Sequence, residues 1–151
     1  MATHRFRPRY RPLAWGTVGI GGVLVGIAAF AGFIALPLAT GVIGMALGGA
    51  YLNLPMWRLA VTVDDAGLAV GSPAKQRFRL AWSDVVRVVA SPTTKSCFVD
   101  GGAPEKSLLV PGDGAPAPYD LEDRAELFDA IIAHVPADRV ETVETLEQAT
   151  K

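Results

Sequence analysis

Between Arg11 and Arg58 the chain has no Asp, Glu, Lys, Arg or His. That absence excludes an ordinary water-soluble helical hairpin, because such helices need a polar face. The 151 residues include one cysteine, Cys97, so no internal disulfide can form and a reducing compartment is expected. Cys97 sits in the alternating segment TKSCFVD and reads as a small buried apolar residue, with no base nearby in sequence to make it a nucleophile. There are only two histidines, His4 and His134. With one distant Cys they cannot supply the three or four ligands of a zinc site, so no metal is expected. No Gly-rich loop ends in Lys-Ser/Thr to cradle a phosphate, and GDGAP after Pro111 is an ordinary loop. The carboxylates Asp120, Glu122, Asp123 and Glu126 read as the capped, solvated start of a helix. No catalytic residue or cofactor is indicated, and a non-enzymatic role is expected.

What is present is an apolar run from about Leu13 to Trp57. One helix of about 45 residues would be about 68 Å long at roughly 1.5 Å per residue. The hydrocarbon layer is about 30 Å thick and needs about 20 residues. Two spans therefore fit, Leu13–Leu36 and Leu38–Trp57, with the turn in FIALPLATG (Phe33–Gly41). Pro37 lacks an amide hydrogen and biases Leu36 away from helix, and Thr40-Gly41 suits a turn or a helix start. A cleaved signal sequence has a shorter apolar core than this run.

Charge orients the hairpin. Residues 1–58 carry five Arg and no acid, whereas residues 59–151 carry nine Lys/Arg against fifteen Asp/Glu. Arg5, Arg7, Arg9 and Arg11 precede the first span and Arg58 follows the second, so both flanks are expected to face the cytoplasm. Trp15, Tyr51 and Trp57 are placed to anchor at headgroup depth. Gly22 and Gly26, and Thr40, Gly44 and Gly48, recur at four-residue spacing. Such strips favour close helix approach, within the hairpin or between chains as a homo-oligomer. The acidic balance of the remainder argues against nucleic acid as a partner.

From Arg58 the period becomes two. RLAVTV ends at the turn DDAG, and LAVG completes a hairpin (Leu59–Val63, Leu68–Gly71). KQRFRLAW, Val85–Ala90, Lys95–Val99 and Ser107–Gly112 add further short strands, which together predict a small antiparallel sandwich or barrel. Asp120 is the expected N-cap of a helix whose stripe is Leu121, Ala125, Phe128, Ile131, Ile132 and Val135, ended by Pro136. The tail ADRVETVETLEQATK is expected to be a frayed helix or disordered.

TVDDAGLAVG (Thr62–Gly71), RFRLAWSDVVRV (Arg77–Val88) and LEDRAELFDAIIAHVP (Leu121–Pro136), placed directly after a membrane hairpin, resemble bacterial membrane proteins with a pleckstrin-homology-like domain. The resemblance implies a membrane α-helical hairpin plus a small, mainly-β PH-like domain closed by a C-terminal amphipathic helix, in a bacterial inner membrane. It brings no catalytic residues. The organisation expected is a basic cytoplasmic leader at 1–12, the hairpin at 13–57, the β domain at 58–136 and a tail at 137–151. On one strand face Lys75, Arg77 and Arg79 project about 7 Å apart and are candidates, with the leader arginines and Arg58, for contact with anionic headgroups. Arg87 is expected to join that row or to pair with Asp84. The expected partners are the lipid bilayer and a protein, either as a free-standing membrane-surface module or as an accessory or assembly subunit of a larger complex. A lipid-active enzyme would need a nucleophile or metal site that the pattern does not supply.

Overall fold

A computed structural model describes residues 1–147. The chain divides into two compact units. One comprises Pro8–Pro55, and the other joins Met1–Arg7 to the chain from Met56 onward. The expected boundary at residue 12 is therefore corrected, because the first seven residues belong to the β unit.

In the first unit, helix α1 spans Arg11–Phe30 and α2 spans Ala35–Leu52. At roughly 1.5 Å per residue these are about 30 and 27 Å long. Pro12 stands in the first turn of α1, where a missing amide hydrogen costs nothing. The turn comes earlier than expected, at Ala31–Ile34, where Gly32 (φ 92°) and Phe33 (φ 60°) take the left-handed conformation. Pro37 falls inside the first turn of α2 instead of breaking the chain. Its lack of an N–H is tolerated there because the first four amides of a helix have no intrahelical partner. The Tyr51 hydroxyl accepts a hydrogen bond from the Tyr10 amide at 3.0 Å, tying the start of α1 to the end of α2.

The β unit has two sheets. Strands β1 (Ala2–Pro8), β2 (Ala60–Val63), β3 (Gly67–Ser72), β4 (Lys75–Ala81) and β8 (Tyr119–Leu121) form the first, in the order β4-β3-β2-β1-β8. Strands β5 (Arg87–Ser91), β6 (Ser96–Asp100), β7 (Leu108–Val110) and β9 (Val140–Thr142) form the second, in the order β7-β6-β5-β9. Helix α3 (Arg124–His134) packs with them. The inward positions alternate as a period of two requires. His4 and Phe6, Val61 and Val63, and Leu68 and Val70 are buried from the first sheet; Val88 and Ala90, and Cys97 and Val99, are buried from the second. Leu127, Phe128 and Ile131 of α3 complete one continuous core.

Strands β1, β8 and β9 depart from the sequence pattern. The leader, expected as a cytoplasmic arm, is β1. It pairs antiparallel with β2 through Ala2↔Val63, Thr3↔Thr62, His4↔Val61 and Arg5↔Ala60. Residues 140–142, expected to fray, pair in parallel with β5, and the Val143 amide continues the ladder to the Ala90 carbonyl at 2.9 Å. The last four residues of that expected tail lie outside the described residues. Residues 119–121, expected to open the closing helix, are β8. Helix α3 starts at Arg124 after Asp123 (φ 49°), so Asp120 is not its N-cap. The Asp120 carboxylate instead accepts from the Leu121 amide and from Arg124. Leu127 takes the buried place expected of Ala125, which is exposed.

Candidate functional site

The outer surface of the hairpin is the first functional feature. Leu13, Trp15, Ile20, Val23 and Ile27 of α1, and Leu36, Val42, Ile43 and Leu47 of α2, are all exposed. Only 17% and 11% of the two apolar windows are buried, whereas the core helix of a soluble protein is mostly buried. Both helices are long and apolar enough to cross a membrane. Ordinary soluble monomers expose apolar patches of at most a few hundred Å², so an outer face of this composition calls for a non-aqueous neighbour.

The inner seam of the hairpin uses glycine, at a different spacing from the one expected. Ala14, Gly21 and Ala28 on α1 and Gly41 and Gly48 on α2 are buried, each set seven residues apart. A Cβ on Gly21 would stand 2.6 Å from the Gly41 carbonyl oxygen, and a Cβ on Gly41 would stand 2.6 Å from that of Gly21. One on Gly48 would stand 2.7 Å from the Ala14 oxygen and 2.5 Å from the Thr17 hydroxyl. A seven-residue repeat keeps a seam facing its partner along nearly aligned helices, as in a coiled coil. Of the five expected packing residues, Gly48 and, more loosely, Gly44 (3.5 Å from the Thr17 oxygen) lie on this seam. Gly22 and Gly26 meet nothing within 4 Å, and Thr40 is exposed, so the four-residue strip on α1 is not the packing face of the hairpin.

The expected cation row of the β unit is divided in two. Arg79 donates to Asp64 Oδ2 at 3.0 Å, at the end of the first sheet that carries the β2–β3 turn. Asp64 Oδ1 also accepts from the amides of Ala66 and Gly67, each at 2.9 Å. The Gly67 amide above all, with the Ala66 amide and Arg79, holds the Asp64 carboxyl below the usual carboxylate range. Arg7 is ion-paired with Glu122. Arg87 pairs with Glu141 at 3.6 Å, neither joining the row nor meeting Asp84. Lys95 pairs with Asp129, and Arg124 with Asp113 and Asp120.

Against this background, the exposed side chains of Arg5, Arg58, Lys75 and Arg77 have no carboxylate partner among the described residues. Register gathers them at one end of the first sheet. Arg5 pairs with Ala60, Ala60 with Gly71 and Gly71 with Gln76, while Lys75 pairs with Ser72 at the β3–β4 turn. A bulge between Val70 and Gly71 skips Arg77, which breaks the strict alternation expected of Lys75, Arg77 and Arg79. This is also the end where β1 runs out towards Arg7 and where β2 begins after Arg58. The acidic turn Asp64-Asp65 lies at the opposite end. Beside Arg5, the outer face of the sheet is a shallow trough of about 270 Å³ floored by the small residues Thr3, Ala60, Thr62, Ala69 and Gly71. Arg9 and Arg11, the other two leader arginines, belong to the hairpin unit; Arg11 is the first residue of α1.

Other chemistry is sparse. Cys97 is fully buried, and burial pushes its thiol up to about 12. His134 stacks on Trp82 at 5.0 Å, and the Trp82 indole N–H donates to the Asp64 carbonyl at 2.9 Å. Among the described residues no three His, Cys, Asp or Glu side chains gather as metal ligands would. The sequence matches no protein-family model and no curated protein, and the structure matches no solved structure.

Proposed function

We propose that this chain is a non-enzymatic integral membrane protein whose two apolar helices cross the bilayer as a hairpin and whose β unit works at the membrane face, binding a protein partner or the membrane surface itself. The observation that carries this reading is the continuous apolar exterior of α1 and α2, which water cannot solvate favourably. The four cations at that end of the first sheet, which have no carboxylate partner among the described residues, support a role at anionic headgroups. Each basic residue near such a surface contributes about 1 kcal/mol. Arginines on both flanks of an uncharged hairpin support a cytoplasmic location for both ends. The run of short strands β2 to β8 followed by α3, to which β1 and β9 are added, supports a pleckstrin-homology-like domain of the bacterial inner-membrane kind.

The test is a pair of reporters, one active only in the cytoplasm and one active only outside it, fused after Lys151. Activity of the cytoplasmic reporter alone is expected; activity of the external one overturns the orientation. A second reading, an accessory subunit of a larger membrane complex, is favoured by Gly16, Gly19 and Gly22, which are exposed on α1 and meet nothing within 4 Å. Small residues on an outward face suit packing against further spans. Crosslinking in membranes separates the two readings: a discrete heterologous partner supports the subunit, and lipid or self contacts alone oppose it.

A further inference from the structure

Strand β1 lies inside the first sheet, not at its edge, and it is delivered from the far side of the hairpin in sequence. On one side it pairs with β2 along Ala2–Arg5, and the Phe6 amide donates to the Leu59 carbonyl at 3.1 Å. On the other side its neighbour is β8, where the Glu122 amide donates to the Arg5 carbonyl at 3.0 Å. His4 Nδ1 donates to the Glu122 carbonyl at 2.9 Å, and Arg7 pairs with the Glu122 carboxylate. His4 and Phe6 enter the core, with the Phe6 ring 5.0 Å from that of Tyr119. Without residues 2–8 the sheet would therefore have a slot. Backbone groups of β2 and β8 would lose partners, and the core would lose two side chains. Open strand edges of that kind are templates for another extended segment.

We propose that residues 2–8 are a latch that couples completion of the β unit to insertion of the hairpin. The proposal rests on the reading that α1 and α2 cross a membrane. If they do, β1 can fill its slot only when the chain has crossed an even number of times and returned to the face it left. A chain with one span inserted holds β1 and its slot on opposite faces, with the slot open. The occupant of the slot is the chain's own leader.

One full-chain double variant and two deletions test this. Thr3 and Thr62 are register partners with outward side chains, and the only native thiol, Cys97, is buried. Thr3→Cys with Thr62→Cys is expected to form an intramolecular disulfide in membranes. A disulfide formed only between chains overturns the latch. The same pair in a chain lacking residues 31–54 is expected to lose that disulfide; retaining it overturns the coupling to insertion. Deleting residues 2–8 from the detergent-solubilised chain is expected to raise the rate of proteolysis of the β unit by more than about tenfold, since cleavage follows the open population. A synthetic peptide of residues 1–9 added in trans is expected to restore resistance. Resistance unchanged by the deletion, or sensitivity that the peptide does not relieve, overturns the proposal. The deletion is read in detergent, so its outcome is separate from the membrane reading, which fails on its own if the intact chain stays dispersed in plain buffer.

Discussion

The hairpin and the β unit place the same kinds of side chain in opposite places. In the β unit Val61, Leu68, Val99 and Ile131 are sealed inside, and arginines and carboxylates cover the outside. In the hairpin the inside is glycine and alanine, while leucine, isoleucine, valine and tryptophan cover the outside. On the proposed reading, each unit is built for a different solvent. In water, apolar burial at about 25 cal/mol per Å² assembles a core. In lipid that driving force between helices is gone, and close backbone packing takes its place. On that reading, Gly21 and Gly41 approach each other closely because neither helix would gain by hiding large side chains from hydrocarbon.

One charge placed on each exterior separates the two units most strongly. Val23→Asp on the outer face of α1 is expected to cost about 2.5–3.5 kcal/mol at the span centre and to cut the membrane-integrated fraction by at least about tenfold. Thr62→Asp on the outer face of the β unit is expected to leave integration unchanged. Quantifying membrane-integrated chain for both variants checks the pair, and equal behaviour would mean that the exteriors do not differ. The seam comes next. Gly21→Leu is expected to destabilise the hairpin by about 2–4 kcal/mol through overpacking against the Gly41 carbonyl, whereas Gly22→Leu is expected to change it by less than about 0.5 kcal/mol. Denaturant titration in mixed micelles reads both.

Within the β unit the sign of the size effect reverses. Val61→Ala removes buried volume and is expected to cost about 2 kcal/mol, measured as a fall in the unfolding midpoint.

These contrasts also account for how far the fold was legible in the sequence. The hairpin was legible because an uncharged apolar run of that length is too long for one helix, and β2 to β7 were legible because their apolar residues alternate. The leader was not. Four arginines in THRFRPRYRP satisfy an orienting rule so well that they mask the alternation of inward His4 and Phe6 with outward Arg5 and Arg7. No local signal says that a strand's partner lies beyond an apolar helical hairpin. Strand β9 was hidden for a related reason: only Val140 of its three residues is apolar, and its pairing with β5 is parallel and distant in sequence. The cation row was legible as charge but not as a site, because Asp64, which claims Arg79, comes from a different turn.

Two smaller effects sharpen the picture of the β unit. Asp64 titrates below the usual carboxylate range in the folded state, so its stabilising contribution is present above that range and is lost as pH falls through the lowered folded value. Asp64→Asn is therefore expected to lower the melting temperature at neutral pH, with the gap to the native chain closing in strong acid. A melting series across pH checks the sign. The Cys97 thiol, raised to about 12 by burial, is expected to resist alkylation at pH 8 until the unit opens, so that labelling tracks unfolding. Mass spectrometry of timed alkylation reads it.

The measurement closest to the central claim is extraction of cell membranes containing the full chain with alkaline carbonate, which strips peripheral proteins and leaves spanning ones in the bilayer. The chain is predicted to remain in the membrane pellet and to leave it only with detergent. Quantitative release into the carbonate supernatant would contradict the account.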